Sequence, residues 1–315
     1  MGCILKVATR KSELALAQTR MVENALLALD SNIQFEEVSM TTEGDRRLDK
    51  SLSSFGGKGV FIKELEVSLL EGRADFAVHS LKDMPAEPLK EFKIASVLKR
   101  EDPRDVFISK NGVLFKNLPP HSRVGTGSIR RIVQLKAIRN DLEYVPIRGN
   151  LQTRLKKLEE LDGIVLAAAG MKRLGLESKI TEYFDPSEML PASGQGIVAI
   201  ETLKNCSDAI TQKLNAINDP ATFILAVAEM AYLKTLNAGC QFPVAAFAQI
   251  EGALKIRGIY YDEVGCEMKK AECEVDLPCD VNSDDYQLRQ DLLETARQLG
   301  VRLANLIKAA LTQRQ

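Results

Sequence analysis

An alternation that runs twice along the chain leaves few folds open to it. Short apolar stretches that read as buried strands are followed by stretches with helical spacing of apolar residues, and the pattern restarts near Asp105. Residues 4–8 (ILKVA) read as a buried strand. Ser12 is placed to cap a helix whose apolar positions include Leu14, Ala17, Val22, Leu26 and Leu29. Strands at 33–40, 76–79 and 93–98 and a helix over 60–70 complete the first set. The second set has strands at 106–109, 123–126, 143–148 and 164–168. Its helices start at Ser128 and, capped by Asn150, run through Leu161. Such alternation predicts parallel strands joined by right-handed crossovers. A strand at 197–200 returns to the first set. A helix over 221–236 then leads to strands at 244–250, 254–261 and 267–275 and a last helix from about Asp284. The expected fold class is α/β in three domains: 1–98 plus 197–216, then 99–196, then an α+β domain over 217–315.

With 45% hydrophobic and 27% charged residues in 315, the chain has ample material for a core and is not disordered, collagen-like or coiled-coil. No stretch approaches the ~20 continuous apolar residues of a membrane span. The opening MGCILKVATRKSELAL lacks the charged and apolar regions of a signal peptide, so a cytoplasmic protein with its six cysteines reduced is expected. Cys266, Cys273 and Cys279 fit no zinc spacing and there are only two histidines, so no metal is expected. The net charge is −1, yet residues 121–175 carry 11 Lys and Arg against 5 Asp and Glu. A basic segment in a neutral chain points to an anionic ligand of limited size rather than to nucleic acid.

Four loop–helix junctions carry cations or hydroxyls: Thr9-Arg10-Lys11-Ser12, Gly56-Gly57-Lys58-Gly59, Thr126-Gly127-Ser128-Ile129-Arg130-Arg131 and Arg148-Gly149-Asn150. Free N–H groups at a helix start attract carboxylates and phosphates, and arginine adds forked hydrogen bonds. Together they predict an anion-binding cleft. The second junction is no P-loop, because Gly59 stands where that motif needs Ser or Thr. In His79-Ser80-Leu81-Lys82-Asp83-Met84-Pro85, Asp83 is open to two readings: a turn residue before Pro85, or a carboxylate at a strand end that stabilises a developing cation and moves a proton. Cys240, in a glycine-bearing loop, is either a small core residue or a covalent attachment point. An anion-binding protein without chemistry and a phosphate-transfer enzyme are the rival classes, the latter disfavoured by the failed P-loop.

The segments VATRKSELALAQT (7–19), GGKGVFIKELEVSLLEGRADFAVHSLKDMPA (56–86), REDPRDVFIS (100–109), VGTGSIRR (124–131), IRGNLQTRLKKL (147–158), IVLAAAGMKRLGL (164–176), LPASGQG (190–196) and AGCQFPV (238–244) resemble, in order, the porphobilinogen deaminase (hydroxymethylbilane synthase) family. The resemblance implies two domains similar to a type II periplasmic-binding-protein pair around a cleft, and a third that carries a cysteine loop. It implies a transferase of tetrapyrrole (heme) biosynthesis that condenses four porphobilinogen molecules head to tail with release of four ammonia. The product passes to uroporphyrinogen-III synthase, and the enzyme is expected to be a monomer. By motif match a dipyrromethane cofactor is joined to Cys240 by a thioether, and Asp83 is the catalytic carboxylate. Lys82, Asp83, Thr126, Ser128, Arg130 and Arg131 fall at cofactor positions. Arg10, Ser12, Arg148 and Arg154 fall at substrate positions, with Lys58 carrying ligand charge and 41–59 as a mobile lid. Gly127, Ser54, Met230 and Ala238 depart from the family pattern.

Overall fold

The computed structural model describes residues 4–42, 62–239 and 242–312. The chain divides into two compact units, 1–101 with 196–223, and 102–195 with 224–315.

The first unit is built on β1 (Ile4–Arg10), α1 (Glu13–Leu29), β2 (Gln34–Met40), α2 (Lys63–Leu70), β3 (Phe76–Ser80) and β4 (Phe92–Val97). Its sheet has the order β2-β1-β3-β10-β4, where β10 is Val198–Leu203. Strand periodicity divides the core. Leu5, Val7, Phe76, Val78, Val198 and Ile200 face Val22 and Leu26, and the intervening Ala8 and Ala77 pack with Leu65, Leu69 and Phe92. Thus the apolar run of β1 is covered on both faces, as a continuous strand pattern requires.

The second unit repeats that order with β5 (Asp105–Ser109), β6 (Arg123–Gly125), β7 (Glu143–Val145), β8 (Gly163–Ala167) and β9 (Glu182–Tyr183), arranged β7-β6-β8-β5-β9. Its helices are α3 (Ile129–Ile138), α4 (Leu151–Lys156) and α5 (Ala168–Arg173). Phe107 and Val165 face Leu135, while Val106, Ile108, Ile164 and Leu166 pack with Leu161 and Met171.

Three expectations need correction. The sheets are not wholly parallel: β1 runs with β2 and β3, and β6 with β7 and β8, but β10 and β5 run antiparallel to their neighbours. Each of these two is the first strand after the chain passes from one unit to the other. No crossover helix leads directly into it, so nothing imposes parallel pairing. Strand β7 ends at Val145, where Pro146 removes a backbone donor. Finally α4 stops at Lys156 and tightens into a 3₁₀ turn at Lys157–Glu159 instead of continuing to Leu161. Helix α6 (Asp208–Ala216) has no counterpart among the sequence-based expectations.

The chain continues through α7 (Pro220–Leu236), the antiparallel meander β11 (Val244–Glu251), β12 (Ala253–Asp262) and β13 (Glu267–Val275), and α8 (Tyr286–Thr312). A Cβ on Gly300 of α8 would lie 2.2 Å from the Ala228 carbonyl oxygen, so glycine permits the close α7–α8 approach. Buried Glu229 of α7 accepts from Gly194 N–H at 2.6 Å and Ala248 N–H at 2.8 Å, and Ser193 Oγ accepts from Ala246 N–H at 3.0 Å. These bonds fasten residues 190–195 to the β11 sheet.

On the α2 face of the first sheet, His79 Nε2 lies 3.1 Å from Glu201 Oε2, both side chains buried. Glu66 of α2 is only 8% exposed near this pair. Burial first, then Glu201 and Glu91, raise its carboxyl to about 7, against the opposing pull of His79. Its ordinary value is 4.5, so between 4.5 and about 7 the native chain binds the extra proton and stability falls as pH rises. Glu66→Gln therefore raises stability at about pH 8 by on the order of 2 kcal/mol and has little effect below about pH 4.5, as measured by urea unfolding at the two pH values. A Glu66→Gln protein whose pH dependence matches that of the unaltered chain contradicts this assignment.

Candidate functional site

In the first unit, β1 and β3 are adjacent and parallel, so their C-terminal ends open on one edge of the sheet. Ligands of α/β sheets bind at such edges. Arg10 closes β1 and is half-buried. Ser12 then caps α1 as expected, its Oγ accepting from Ala15 N–H at 3.3 Å. Thr19 of α1 donates to Thr9 Oγ1 at 2.7 Å, and Gln18 Nε2 donates to Ser80 Oγ at 2.7 Å, tying the helix to both strand ends.

After Ser80 the chain makes a 3₁₀ turn over Leu81–Asp83. Leu81 is fully buried and donates its N–H to Ile197 O at 3.0 Å; Met84, also buried, donates to Leu81 O at 3.0 Å. Lys82 and Asp83 are held between these two anchors with half-exposed side chains. Among the described residues the Asp83 carboxylate accepts no hydrogen bond and pairs with no cation. A carboxylate whose backbone is fixed on both sides while its oxygens are uncommitted serves a ligand better than it serves a turn.

In the second unit β6 and β7 are likewise parallel neighbours, and the two remaining described junctions follow them. Thr126 is fully buried; its N–H donates to Val145 O at 2.9 Å and its Oγ1 accepts from Ser128 N–H at 3.3 Å. Ser128 caps α3 by accepting from Arg131 N–H at 3.5 Å. A Cβ at Gly127 would stand 2.5 Å from the Ile147 carbonyl oxygen, so glycine permits this close approach of the junction to the next strand's exit. Gly149 has φ +101°, where side chains are strained, and Arg154 Nε donates to its carbonyl at 2.8 Å. Asn150 Oδ1 accepts from Thr153 N–H at 2.9 Å, capping α4 as expected. At six residues, α4 carries too short a dipole to attract an anion strongly, so Arg148 and Arg154 are the relevant groups there.

Arg130 and Arg131 hold the main surprise. Both are only 5% exposed, and both turn onto Asp105, which is fully buried at the start of β5. Arg131 donates to Asp105 Oδ1 from Nε at 3.0 Å and from Nη2 at 2.8 Å, and from Nη1 to Val165 O at 2.9 Å. Arg130 Nη2 forms an ion pair with Asp105 Oδ2 at 2.8 Å, while Nη1 donates to Leu190 O at 2.6 Å. Gln195 Nε2 adds a bond to Asp105 Oδ1 at 2.9 Å. Burial opposes the charge on Asp105, but Arg130 and Arg131 outweigh it and bring the carboxyl to about 2. Burial also lowers Arg130, as does Arg131, against Asp105. Sequence reasoning misses Asp105; its one signal is an acid leading an otherwise apolar strand, Asp105-Val106-Phe107-Ile108.

Cys240, Lys58 and most of the expected lid lie outside the described residues. The approach to Cys240 turns at Asn237, which ends α7 at φ +51°. Ala238 N–H donates to Leu233 O at 3.0 Å, a left-handed helix cap that redirects the chain sharply. Beyond it, Phe242 N–H donates to Gly239 O at 3.0 Å. Among the described residues no group of three or more His, Cys, Asp or Glu is disposed to hold a metal, and no helix is long and apolar enough to cross a membrane.

Residues 5–211 match the family described as porphobilinogen deaminase, dipyromethane cofactor binding domain, and 223–309 match its C-terminal domain. The porphobilinogen deaminase of Clostridium kluyveri is 52% identical over 270 residues, covering 85% of this chain and 91% of that one. That of Sorangium cellulosum is 44% identical, covering 87% and 92%. Among solved structures, the methionine-binding protein MetQ aligns with a TM-score of 0.44 and 12% identity over 68% of this chain and 89% of that one. With both family domains matched in order and relatives near half identity over most of their length, the chain belongs to the porphobilinogen deaminase family.

Proposed function

We propose that this enzyme joins four porphobilinogen molecules head to tail, releasing four ammonia, with Cys240 as the thioether anchor of the dipyrromethane and Asp83 as the catalytic carboxylate. The observation that carries the reading is the Asp83 carboxylate, which has no partner among the described residues and is fixed between buried Leu81 and Met84 on the sheet edge that also ends in Arg10. The residues fit an anionic pyrrole chain. Each ring brings an acetate and a propionate, and in the second unit the buried guanidiniums of Arg130 and Arg131 share the one carboxylate of Asp105. In this proposal Lys82, Thr126, Ser128, Arg130 and Arg131 serve the cofactor, and Arg10, Ser12, Arg148, Arg154 and Lys58 the incoming substrate. When bound, the dipyrromethane supplies the free pyrrole α-carbon at which growth begins.

In each cycle the C–N bond of the substrate aminomethyl group breaks and ammonia departs. A C–C bond forms to the α-carbon of the terminal ring, which then loses its proton. The substrate leaves its nitrogen as ammonia from the protonated amine. The Asp83 carboxylate faces the positive charge that develops, accepts the α-proton and passes it to the released ammonia, so that each cycle yields one ammonium ion and returns Asp83 to its carboxylate form. Arginine forks fix the ring carboxylates and with them the distance between reacting carbons. Three domains belong to the same reading, 1–98 with 197–216, 99–196 and 217–315, the third presenting Cys240. So does a monomer in the cytoplasm whose product is taken up by uroporphyrinogen-III synthase. The family's separate C-terminal domain match supports the division.

Asp83→Asn is expected to lower porphobilinogen consumption by on the order of 10²- to 10⁴-fold while the folded protein keeps its covalent pyrroles; near-normal turnover removes Asp83 from the chemistry. Cys240→Ser should abolish pyrrole attachment, read by peptide mapping after exposure to porphobilinogen. A Cys240→Ser protein that still carries two rings on a thiol elsewhere places the anchor at another cysteine.

A further inference from the structure

The Arg130–Asp105–Arg131 cluster is poorly explained as a device for stability. Burying three charges takes each out of water, and well-packed apolar residues commonly stabilise a fold as well or better. Nor does the cluster balance internally, since two guanidiniums face one carboxylate. Its hydrogen bonds are also lopsided. All three nitrogens of Arg131 are engaged, on Asp105 and Val165 O. Arg130 pairs with Asp105 through Nη2 alone and keeps Nε without an acceptor among the described residues. Asp105 is itself fixed by Gln195, whose Nε2 also donates to Pro103 O at 2.7 Å.

We propose that Asp105 is a positioning residue for the condensation: it locks Arg131 as a brace, aims Arg130, and leaves one net positive charge to be matched by one ligand carboxylate. The inference rests on the function proposed above. If the cofactor is covalently held, an error in aiming Arg130 does not release it. The error displaces the reacting ring and appears in kcat, while KM for porphobilinogen, governed by other groups, stays put.

The test uses full-length Asp105→Asn and Asp105→Glu beside the unaltered protein, each exposed to porphobilinogen and weighed intact to give the fraction carrying two rings. Turnover is normalised to that fraction, and thermal unfolding is recorded for each. Asp105→Asn is expected to acquire the rings, since its site is more positive, yet to lose on the order of 10- to 100-fold in normalised kcat with KM within about threefold. Asp105→Glu, which restores the charge on a longer arm, should recover part of that loss. Wild-type normalised kcat in the Asp105→Asn protein, or a rise in KM at unchanged kcat, overturns the proposal. Should Asp105→Asn not fold, Asp105→Glu decides: reduced normalised kcat in a folded, ring-bearing protein upholds it, and unchanged kcat overturns it. Failure of the underlying function is distinguishable, because then the unaltered protein itself gains no rings.

Discussion

The arrangement of the second unit follows from keeping two adjacent guanidiniums buried. Arg130 and Arg131, in the first turn of the helix capped by Ser128, both run inward while Ile129 beside them is exposed, and an arginine cannot shed its charge to suit an apolar interior. Asp105 makes this tolerable, and its position fixes much else. It must begin β5, so β5 must lie beside β8, and Gln195 must close over the same carboxylate. The carbonyls of Val165 and Leu190 are drawn in as further acceptors. In the proposed function such a site would receive a carboxylate with little rearrangement, because its donors are already desolvated and oriented.

The first unit solves the complementary problem. In the proposed function it presents an available carboxylate: the backbone is fixed while, among the described residues, the Asp83 oxygens take no partner. Buried Leu81 and Met84, the Ile197 carbonyl and the Gln18–Ser80 bond all hold the turn, and none of them uses the acid. Both units employ one sheet order, with the proposed site residues Arg10, Asp83, Thr126 and Arg148 where parallel strands end. The meander of β11 to β13 with α7 and α8 adds a third element, whose left-handed cap at Asn237 directs the chain into the cysteine loop.

What is legible in the sequence is local. Ser12, Ser128 and Asn150 announce themselves as caps because a cap is made by residues three apart. Most strands are legible because an apolar run must be buried. Direction is not: the apolar pattern of β10 is the same whether it runs with or against β3, and only the passage of the chain between units decides it. The partners of Asp105 lie 26 and 90 residues away, beyond any local signal. The acid therefore looks ordinary in the sequence, and the arginines read as facing a ligand directly. Asn237 carries a readable sign, since asparagine tolerates left-handed backbone, yet a helical pattern marks only where α7 ends and not how the chain leaves it.

If this chain grows pyrrole units on itself, its own mass must record the growth, so the decisive measurement is the denatured intact mass before and after brief exposure to porphobilinogen. An initial excess of two pyrrole rings is expected, followed by a ladder of masses, each one ring heavier than the last. A folded protein whose mass carries no rings at the start and gains none would contradict this chemistry.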